Sequence, residues 1–470
     1  MTRFVNADRD QTFLLPPDMR DWVPEDDLCH FVIEAVARID MTAFVVNTRG
    51  SGSPQYDPRM MLALLIYSYA NGICSSRRIE RATYRDVGVR FAAANTHPDH
   101  DTIAAFRRRN EAAFKAAFLE VLLLARELRL LKVGTVSVDG TKIDANASKH
   151  KSVRYDRAKV LREKLAADIA ELVAKAESAD ANGDDDPQAL PAEIARRETL
   201  KAKLDEAVAR LEAEAAADAA AAQPAYEEKL VKHRERGGSG RPPQPPGAEP
   251  PDKAQINLTD PDSAIMRKNK HAEYRQAYNA QAAVDADGSM LVLSTHVTNC
   301  ASDRNELVPA IAGIDAAVGV PETALADNGY ANGEAVAELQ ERDIEVLVAT
   351  GAEARQRPYD FRPPKDTGPP KEPVQDWMKA MKKKMESEAA RAKYKLRQQT
   401  VEPVFGIIKE VLGFRRFHLR GLAGVNLEWL LVTLAYNCKR LHSLKRQHQL
   451  VAAACYQHLR SQLKASPTDC

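Results

Sequence analysis

Three acidic residues of this 470-residue chain stand where a divalent cation could be held. Val133-Gly-Thr-Val-Ser-Val-Asp139-Gly140-Thr-Lys reads as a buried strand ending in an aspartate. Leu325-Ala-Asp327-Asn-Gly329-Tyr330 is a short apolar run closed by a second aspartate and a glycine turn. Thr400-Val-Glu402-Pro-Val-Phe-Gly-Ile-Ile-Lys409 sets a glutamate and a lysine seven residues apart on an expected helix, hence on one face. Pro403 suits a helix start, which would put Glu402 in a first turn, where an acid complements the helix dipole. Carboxylates at strand ends and on an adjoining helix can converge on two hard cations. Such a pair stabilises the attacking and leaving oxygens of a phosphoryl transfer. Asp144, which lies past the strand, Asp285, which precedes a tight turn, and Asp303 are set aside as ligands.

The rest of the composition narrows the class. Hydrophobic residues make up 44% and charged residues 28%, which fits a globular chain with polar segments. The longest apolar runs, Met60–Ile66 and Trp429–Ala435, are too short to span a bilayer, so no membrane partner is expected. Met1-Thr-Arg-Phe lacks the basic-then-apolar pattern of a signal peptide. Cysteines at 29, 74, 300, 438, 455 and 470 show no metal-ligand spacing, which argues for a reducing, cytoplasmic (nucleoid-associated) setting. The net charge of +1 hides strong segregation. Arg77–Arg109 holds eight arginines against four acids, and Lys379–Arg420 holds twelve basic residues against four acids. Leu161–Ala222 reverses the balance, with eight basic against fifteen acidic residues. Basic blocks supply phosphate contacts, whereas an acidic block is a poor DNA surface.

Positioning these residues calls for several elements. Residues 1–130 read as helices. Apolar spacing marks Leu28–Ala37; Asp57-Pro58 starts Met60–Asn71; Ser75 opens a helix; and Asp101 is expected to cap Asp101–Arg109. Arg77, Arg78, Arg81, Arg107, Arg108 and Arg109 would face DNA from a helix-turn-helix-like module. Residues 131–150 carry the first strand. Residues 151–222 form a charged helical hairpin, with stripes at Leu161, Leu165, Ile169 and Leu172 and at Leu200, Leu204, Val208 and Leu211, joined by an Asn182–Pro187 turn. A Pro-rich linker, 223–255, follows. Residues 256–350 return to sheet: a hairpin around Asp285-Ala-Asp-Gly288, a helix over Ala301–Val318, and a βαβ unit over 323–349. A polar insertion over 351–376, a basic helix Trp377–Lys395, helices to residue 445 and a 446–470 tail complete the chain. Arg415 and Arg416 in Phe414-Arg-Arg-Phe-His-Leu-Arg420 alternate with aromatics in a way that suits DNA contact.

Taken in order, Asp139–Ser148, Asn257–Ser263, Tyr278–Asp285, Ala326–Tyr330 and Val401–Lys409 resemble blocks of the DDE transposases of bacterial insertion sequences, over about Phe13 to Leu441. The resemblance implies an α/β mixed fold: a ribonuclease-H-like catalytic domain, with a helical N-terminal domain ahead of it and a helical hairpin arm inserted in it. It implies metal-dependent strand cleavage at transposon inverted repeats and strand transfer into target DNA. Two Mg2+ ions are implied, with Mn2+ able to substitute: Asp139 would bridge them, Asp327 would bind one and Glu402 the other. Tyr394, Arg397, Glu402 and Lys409 resemble the family's Tyr-Arg-Glu-Lys signature, although four residues rather than three separate Arg397 from Glu402. Arg397 and Lys409 would then lie near DNA phosphates. Double-stranded DNA and a second copy of the chain are the implied partners, since two transposon ends are processed. Other classes consistent with the chain are a catalytically inactive transposase-derived DNA-binding protein and a structural assembly protein.

Overall fold

A computed structural model describes residues 18–46, 55–182, 189–235, 237, 240–267, 271–351 and 375–465. Most of the Asn182–Pro187 turn, the Arg355–Pro373 insertion, three residues of the linker and the last five residues lie outside the described residues.

Among the described residues, six α-helices precede the sheet: α1 (Leu28–Ala37), α2 (Pro58–Ala70), α3 (Ser76–Arg85), α4 (Val87–Ala92), α5 (His100–Arg109) and α6 (Glu111–Glu127). Asp57 caps α2 as its sequence suggests, accepting the Met60 N–H at 2.9 Å. Asp99, not Asp101, caps α5. It follows Pro98 in extended conformation and accepts the N–H groups of Asp101 and Thr102, each at 2.9 Å. Asp101 instead sits in the first turn. Residues 61–70 of α2 are all buried, so this helix is enclosed rather than amphipathic.

The sheet follows. Strand β1 (Thr135–Asp144) leads to β2 (Ser152–Arg154), then to the arm helices α7 (Tyr155–Asn182) and α8 (Ala189–Glu235), and then to β3 (Gln255–Asn257). Beyond them lie β4 (Ala264–Met266), β5 (Arg275–Asp285), β6 (Val292–Thr298), α9 (Leu307–Ala312), β7 (Thr323–Ala326), α10 (Gly333–Glu341) and β8 (Glu345–Val348). The chain closes with α11 (Asp376–Met385), α12 (Glu388–Gly406), a π turn (Ile407–Val411) and α13 (Leu422–Ala465). Strand β1 is central. It runs antiparallel to β5 on one side and parallel to β7 on the other, and β7 is parallel to β8. The far edge of β5 pairs antiparallel with β6 and, near its start, with β4. The β5–β6 turn works as its sequence suggests: Asp285 accepts from Ser289 N (3.0 Å) and Oγ (2.6 Å), and Gly288 takes a φ of +120°.

Several boundaries differ from the sequence reading, and α13 runs on to Ala465 through most of the expected 446–470 tail. The Ala301–Val318 helix shrinks to Leu307–Ala312, because Asp303 is drawn to the sheet by Asn279 and Gln281. The basic helix breaks after Met385, and Ser387 caps α12. That helix then runs straight through Pro403, whose missing N–H forfeits one hydrogen bond without stopping it. Likewise α8 passes Pro224 and ends at Glu235, so the linker begins after residue 235 rather than at 223. An alanine-rich run and the Gln223–Glu227 and Lys232–Glu228 pairs support that extension.

Helix α13 binds the parts together. It packs on α2, on α6 and on β6, and one hydrophobic core runs from Val23 to Leu441, so the helical N-terminal segment and the sheet share their interior. On α13, Asn426 and Asn437 each bond both backbone groups of a β6 residue, Val297 and Val292 respectively. Eleven helical residues rise about 16.5 Å and five strand residues span about the same, so the match repeats at both ends and closes an exposed sheet edge. Among the described residues no helix is long and apolar enough to cross a membrane.

The arm has its own small core of Val153, Tyr155, Ala158, Leu204, Val208 and Ile256. Its two ends emerge side by side, since Arg154 pairs with Gln255 and the Tyr155 N–H donates to Ala254 O at 2.9 Å. Replacing residues 155–253 with a two- to four-residue turn should therefore leave the sheet folded. Circular dichroism should show one cooperative melt with reduced helix content; loss of cooperative unfolding would make the arm part of the core.

Candidate active site

Val136, Ser137 and Val138 are buried, and Asp139 comes where β1 leaves this cover. Ser137 is in register with Leu325 of parallel β7, so two residues further on Asp139 stands level with Asp327. Asp139 Oδ1 accepts the Gly140 N–H at 2.8 Å, and Oδ2 accepts from Arg397 Nη1 at 3.3 Å. Burial pushes the Asp139 carboxyl up to about 7, the Asp327 charge pushes the same way, and the Gly140 N–H and Arg397 offset them in part. Asp327 directly follows β7 and caps the next turn, its Oδ1 accepting the Gly329 N–H at 2.7 Å.

Glu402 lies in the interior of α12, far from its Glu388 start and followed without a break by the π turn, so no first-turn dipole favours it, and its side chain is 46% exposed. What holds it is Arg397, whose Nη2 lies 3.4 Å from Glu402 Oε1. The guanidinium thus stands between Asp139 and Glu402, buried rather than displayed to solvent as a phosphate contact would be. Lys409, on the π turn, bonds Thr141 Oγ1 and Lys142 O on β1.

The side set aside in sequence, around Asp303, proves to adjoin the site. Its Oδ1 accepts from Asn279 (2.6 Å), Gln281 (2.8 Å) and Lys142 (3.4 Å), and its charge contributes to raising the Asp139 carboxyl. Gly140 admits no side chain here: a Cβ would lie 2.7 Å from Asp303 Oδ1 and 2.9 Å from Asn279 Oδ1, the latter a buried atom with no partner. The glycine after Asp139 carried this signal in the sequence; the loop acid did not. Asp285 serves its turn, and Asp144 pairs with Arg275 at 3.2 Å.

Among the described residues no three His, Cys, Asp or Glu side chains gather as a close metal-ligating group. Asp139 and Asp327 nonetheless offer what a hard divalent cation fits: oxygen donors only, close enough to repel each other with that repulsion offset only in part, and Glu402 joined to Asp139 across Arg397.

The proposed DNA-facing cations divide. Arg77, Arg78 and Arg81 are exposed on α3, and Arg108 and Arg109 are exposed at the end of α5. Arg107 is 4% exposed and bonds Tyr69 Oη at 2.5 Å and Cys74 O at 3.2 Å, so it is an internal strut. Arg415 and Arg416 are exposed, but Phe414 and Phe417 on either side of them are core residues packed near Trp429 and Tyr278, leaving only the cations for a partner. Tyr84, exposed and stacked on His97 at 3.8 Å beside the α3 arginines, was not singled out in the sequence.

Residues 249–438 match the family model described as "Transposase DDE domain", and residues 17–109 match "Transposase domain (DUF772)". The first match contains Asp327, Arg397, Glu402 and Lys409 but begins beyond the arm, so Asp139 lies outside it. The second contains the exposed arginines of α3 and α5. No curated protein and no solved structure matches the chain significantly.

The raised Asp139 carboxyl has a consequence for stability. Folded Asp139 holds its proton up to about pH 7, whereas the unfolded residue loses it near 3.8. Stability is therefore lost as pH rises between those values, and the cost is complete above the higher one. In a chelating buffer, Asp139→Asn should match the parent near pH 4 and exceed it by up to about 4 kcal/mol at pH 8. Denaturant melts at the two pH values measure this; a variant no more stable at pH 8 contradicts it.

Proposed function

From the premise that the chain belongs to the DDE transposases of insertion sequences, we propose that Asp139, Asp327 and Glu402 are its catalytic acids, acting in cleavage of transposon ends and strand transfer into target DNA. Members of the family are polynucleotidyl transferases and endonucleases that bind DNA and generally use divalent metal ions. The observation that carries the assignment is the level placement of Asp139 and Asp327 on neighbouring parallel strands, with Glu402 linked to Asp139 through a buried arginine. The strand order β6-β5-β1-β7-β8, three antiparallel strands followed by two parallel ones, supports a ribonuclease-H-like catalytic domain.

Divalent ions, Mg2+ in this reading with Mn2+ as substitute, supply charge neutralisation at the attacking and leaving oxygens when bound by the three acids. The chain's own residues do the rest. Burial in β1 fixes the Asp139 carboxylate, and the turn over Gly329 fixes that of Asp327. Arg397 keeps Asp139 and Glu402 from repelling each other and orients both. Lys409 braces β1 from the helix side. Exposed Arg415 and Arg416 hold phosphates beside the site, while Arg77, Arg78, Arg81, Arg108 and Arg109 hold the transposon end. Two ends require two copies of the chain, so a homodimer is the working unit.

Two measurements test this reading. Asp139→Asn, Asp327→Asn and Glu402→Gln should each reduce Mg2+-dependent strand cleavage below detection while end affinity stays near that of the parent. Ca2+ should support binding without turnover, because its looser coordination aligns the reacting oxygens poorly. Near-normal cleavage by any of the three variants would remove that residue from the trio.

The second concerns end binding. Replacing Arg81 and Arg108 with alanine should lower affinity and reduce the slope of log affinity against log salt by about 0.9 per lost phosphate contact. A folded double variant with parental affinity and slope would place end recognition elsewhere.

A further inference from the structure

Glu428 is fully buried in the apolar run of α13, and its two oxygens serve different parts of the molecule. Oε2 accepts the backbone N–H groups of His418 (2.8 Å) and Leu419 (2.9 Å). Oε1 accepts from Tyr69 Oη of α2 (3.1 Å), lies 3.0 Å from His418 Nδ1, and stands 3.8 Å from Arg107 Nη1 of α5. Burial opposes the Glu428 charge, but the His418, Arg107 and Leu419 donors outweigh it, and the carboxyl stays below its ordinary pKa.

Burying such a group is seldom the cheapest way to hold helices together, since apolar residues of similar volume commonly do as well. Arg107 even leaves its buried Nε without a partner. What the cluster adds is register. Segment 415–420, whose backbone Glu428 holds on one side, is stitched on its other side to the end of β1. Phe417 N donates to Asp144 O at 2.9 Å, Asp144 N to Arg415 O at 3.2 Å, and Asn146 Nδ2 to His418 O at 2.9 Å. The segment displays Arg415, Arg416 and Arg420, and Arg107 sits immediately before exposed Arg108 and Arg109.

We propose that Glu428 is a positioning residue for strand cleavage: its one carboxylate registers helices α2 and α5 and the basic segment 415–420 against the strand that carries Asp139. The role in cleavage rests on the transposase reading above; the registration itself does not. A DNA end held by α3 and α5 is thereby presented to the acids at a fixed offset, and loosening the carboxylate's contacts separates binding from cleavage.

Tyr69→Phe removes one hydroxyl and is the gentle variant; Glu428→Gln removes the charge. Amide hydrogen exchange of the full chain without DNA gives the first readout, and cleavage at saturating end DNA alongside end affinity gives the second. In Tyr69→Phe, the amides of 415–420 should exchange about three- to tenfold faster, a loss worth one hydrogen bond, while those of the β5–β6 hairpin stay unchanged. Cleavage at saturation should fall by a similar factor with affinity unchanged. Exchange at 415–420 that is unaltered in Tyr69→Phe, or that rises evenly across the sheet, overturns the proposal by reducing the cluster to general packing. Local exchange that rises while cleavage at saturation holds overturns the positioning role. If the parent chain cleaves no end DNA, the transposase reading fails, and the exchange result still decides whether Glu428 registers the segment.

Discussion

Asp139 and Asp327 stand level on adjacent parallel strands, so ionising one raises the cost of ionising the other. The surrounding structure manages that repulsion. Four carboxylates (Asp139, Asp303, Asp327 and Glu402) share the neighbourhood with three cations (Lys142, Arg397 and Lys409). The local balance is one negative charge when all are ionised. Such a site attracts cations without presenting a strongly negative face to a phosphate chain. Arg397 is central to it: always charged, planar and forked, it reaches two acids at once from inside the protein and fixes their spacing in a way that a lysine's single nitrogen does not.

Those acids come from three distant stretches of chain, and α13 supplies the frame that keeps the stretches in place. Trp429 donates its Nε1–H to Gln281 O on β5 at 2.9 Å, and two asparagines on the same helix close the β6 edge. Close by, Gly421 N donates to Asp260 Oδ1 and Leu422 N to Asp262 Oδ2, the carboxylate that also pairs with Arg210 of the arm. One helix start therefore meets the arm, the sheet and the helical N-terminal segment. This explains how β1 and β5 stay in antiparallel register although more than a hundred residues separate them in sequence. The arm adds loop length, whose closure cost grows only slowly, and leaves the sheet through neighbouring backbone positions.

Much of this was legible in the sequence. The apolar runs before Asp139 and Asp327 read as strands, and the Asp285–Gly288 turn and the Asp57 cap follow from local chemistry. Reading failed where a local rule met a tertiary one. Pro403 looked like a helix start, but Ser387 had already capped the helix and packing carried it through. The Arg107–Arg109 run looked uniformly exposed. Its helical spacing held the answer, since Arg107 follows buried Ile103 by four residues and so shares its inward face. Phe414 and Phe417 are buried and the two arginines between them are exposed, a spacing of three that strand alternation does not announce.

A charged residue within an apolar run is the signal that was there to be read and was not. Glu428 sits between Asn426 and Leu441 in a stretch that composition assigns to the core. A carboxylate enters such a place only with donors committed to it, so its presence implied partners from elsewhere in the chain. Those partners are Tyr69 and Arg107 on one side and the 418–419 backbone on the other. The two asparagines of the same helix obey the same logic: each carries a donor and an acceptor into the interior, and each meets one strand residue whose backbone offers the complement. Polar residues in the buried helix thus encode its contacts more specifically than its leucines do. Apolar packing tolerates sliding and substitution, whereas an unmatched hydrogen-bonding group in the interior does not.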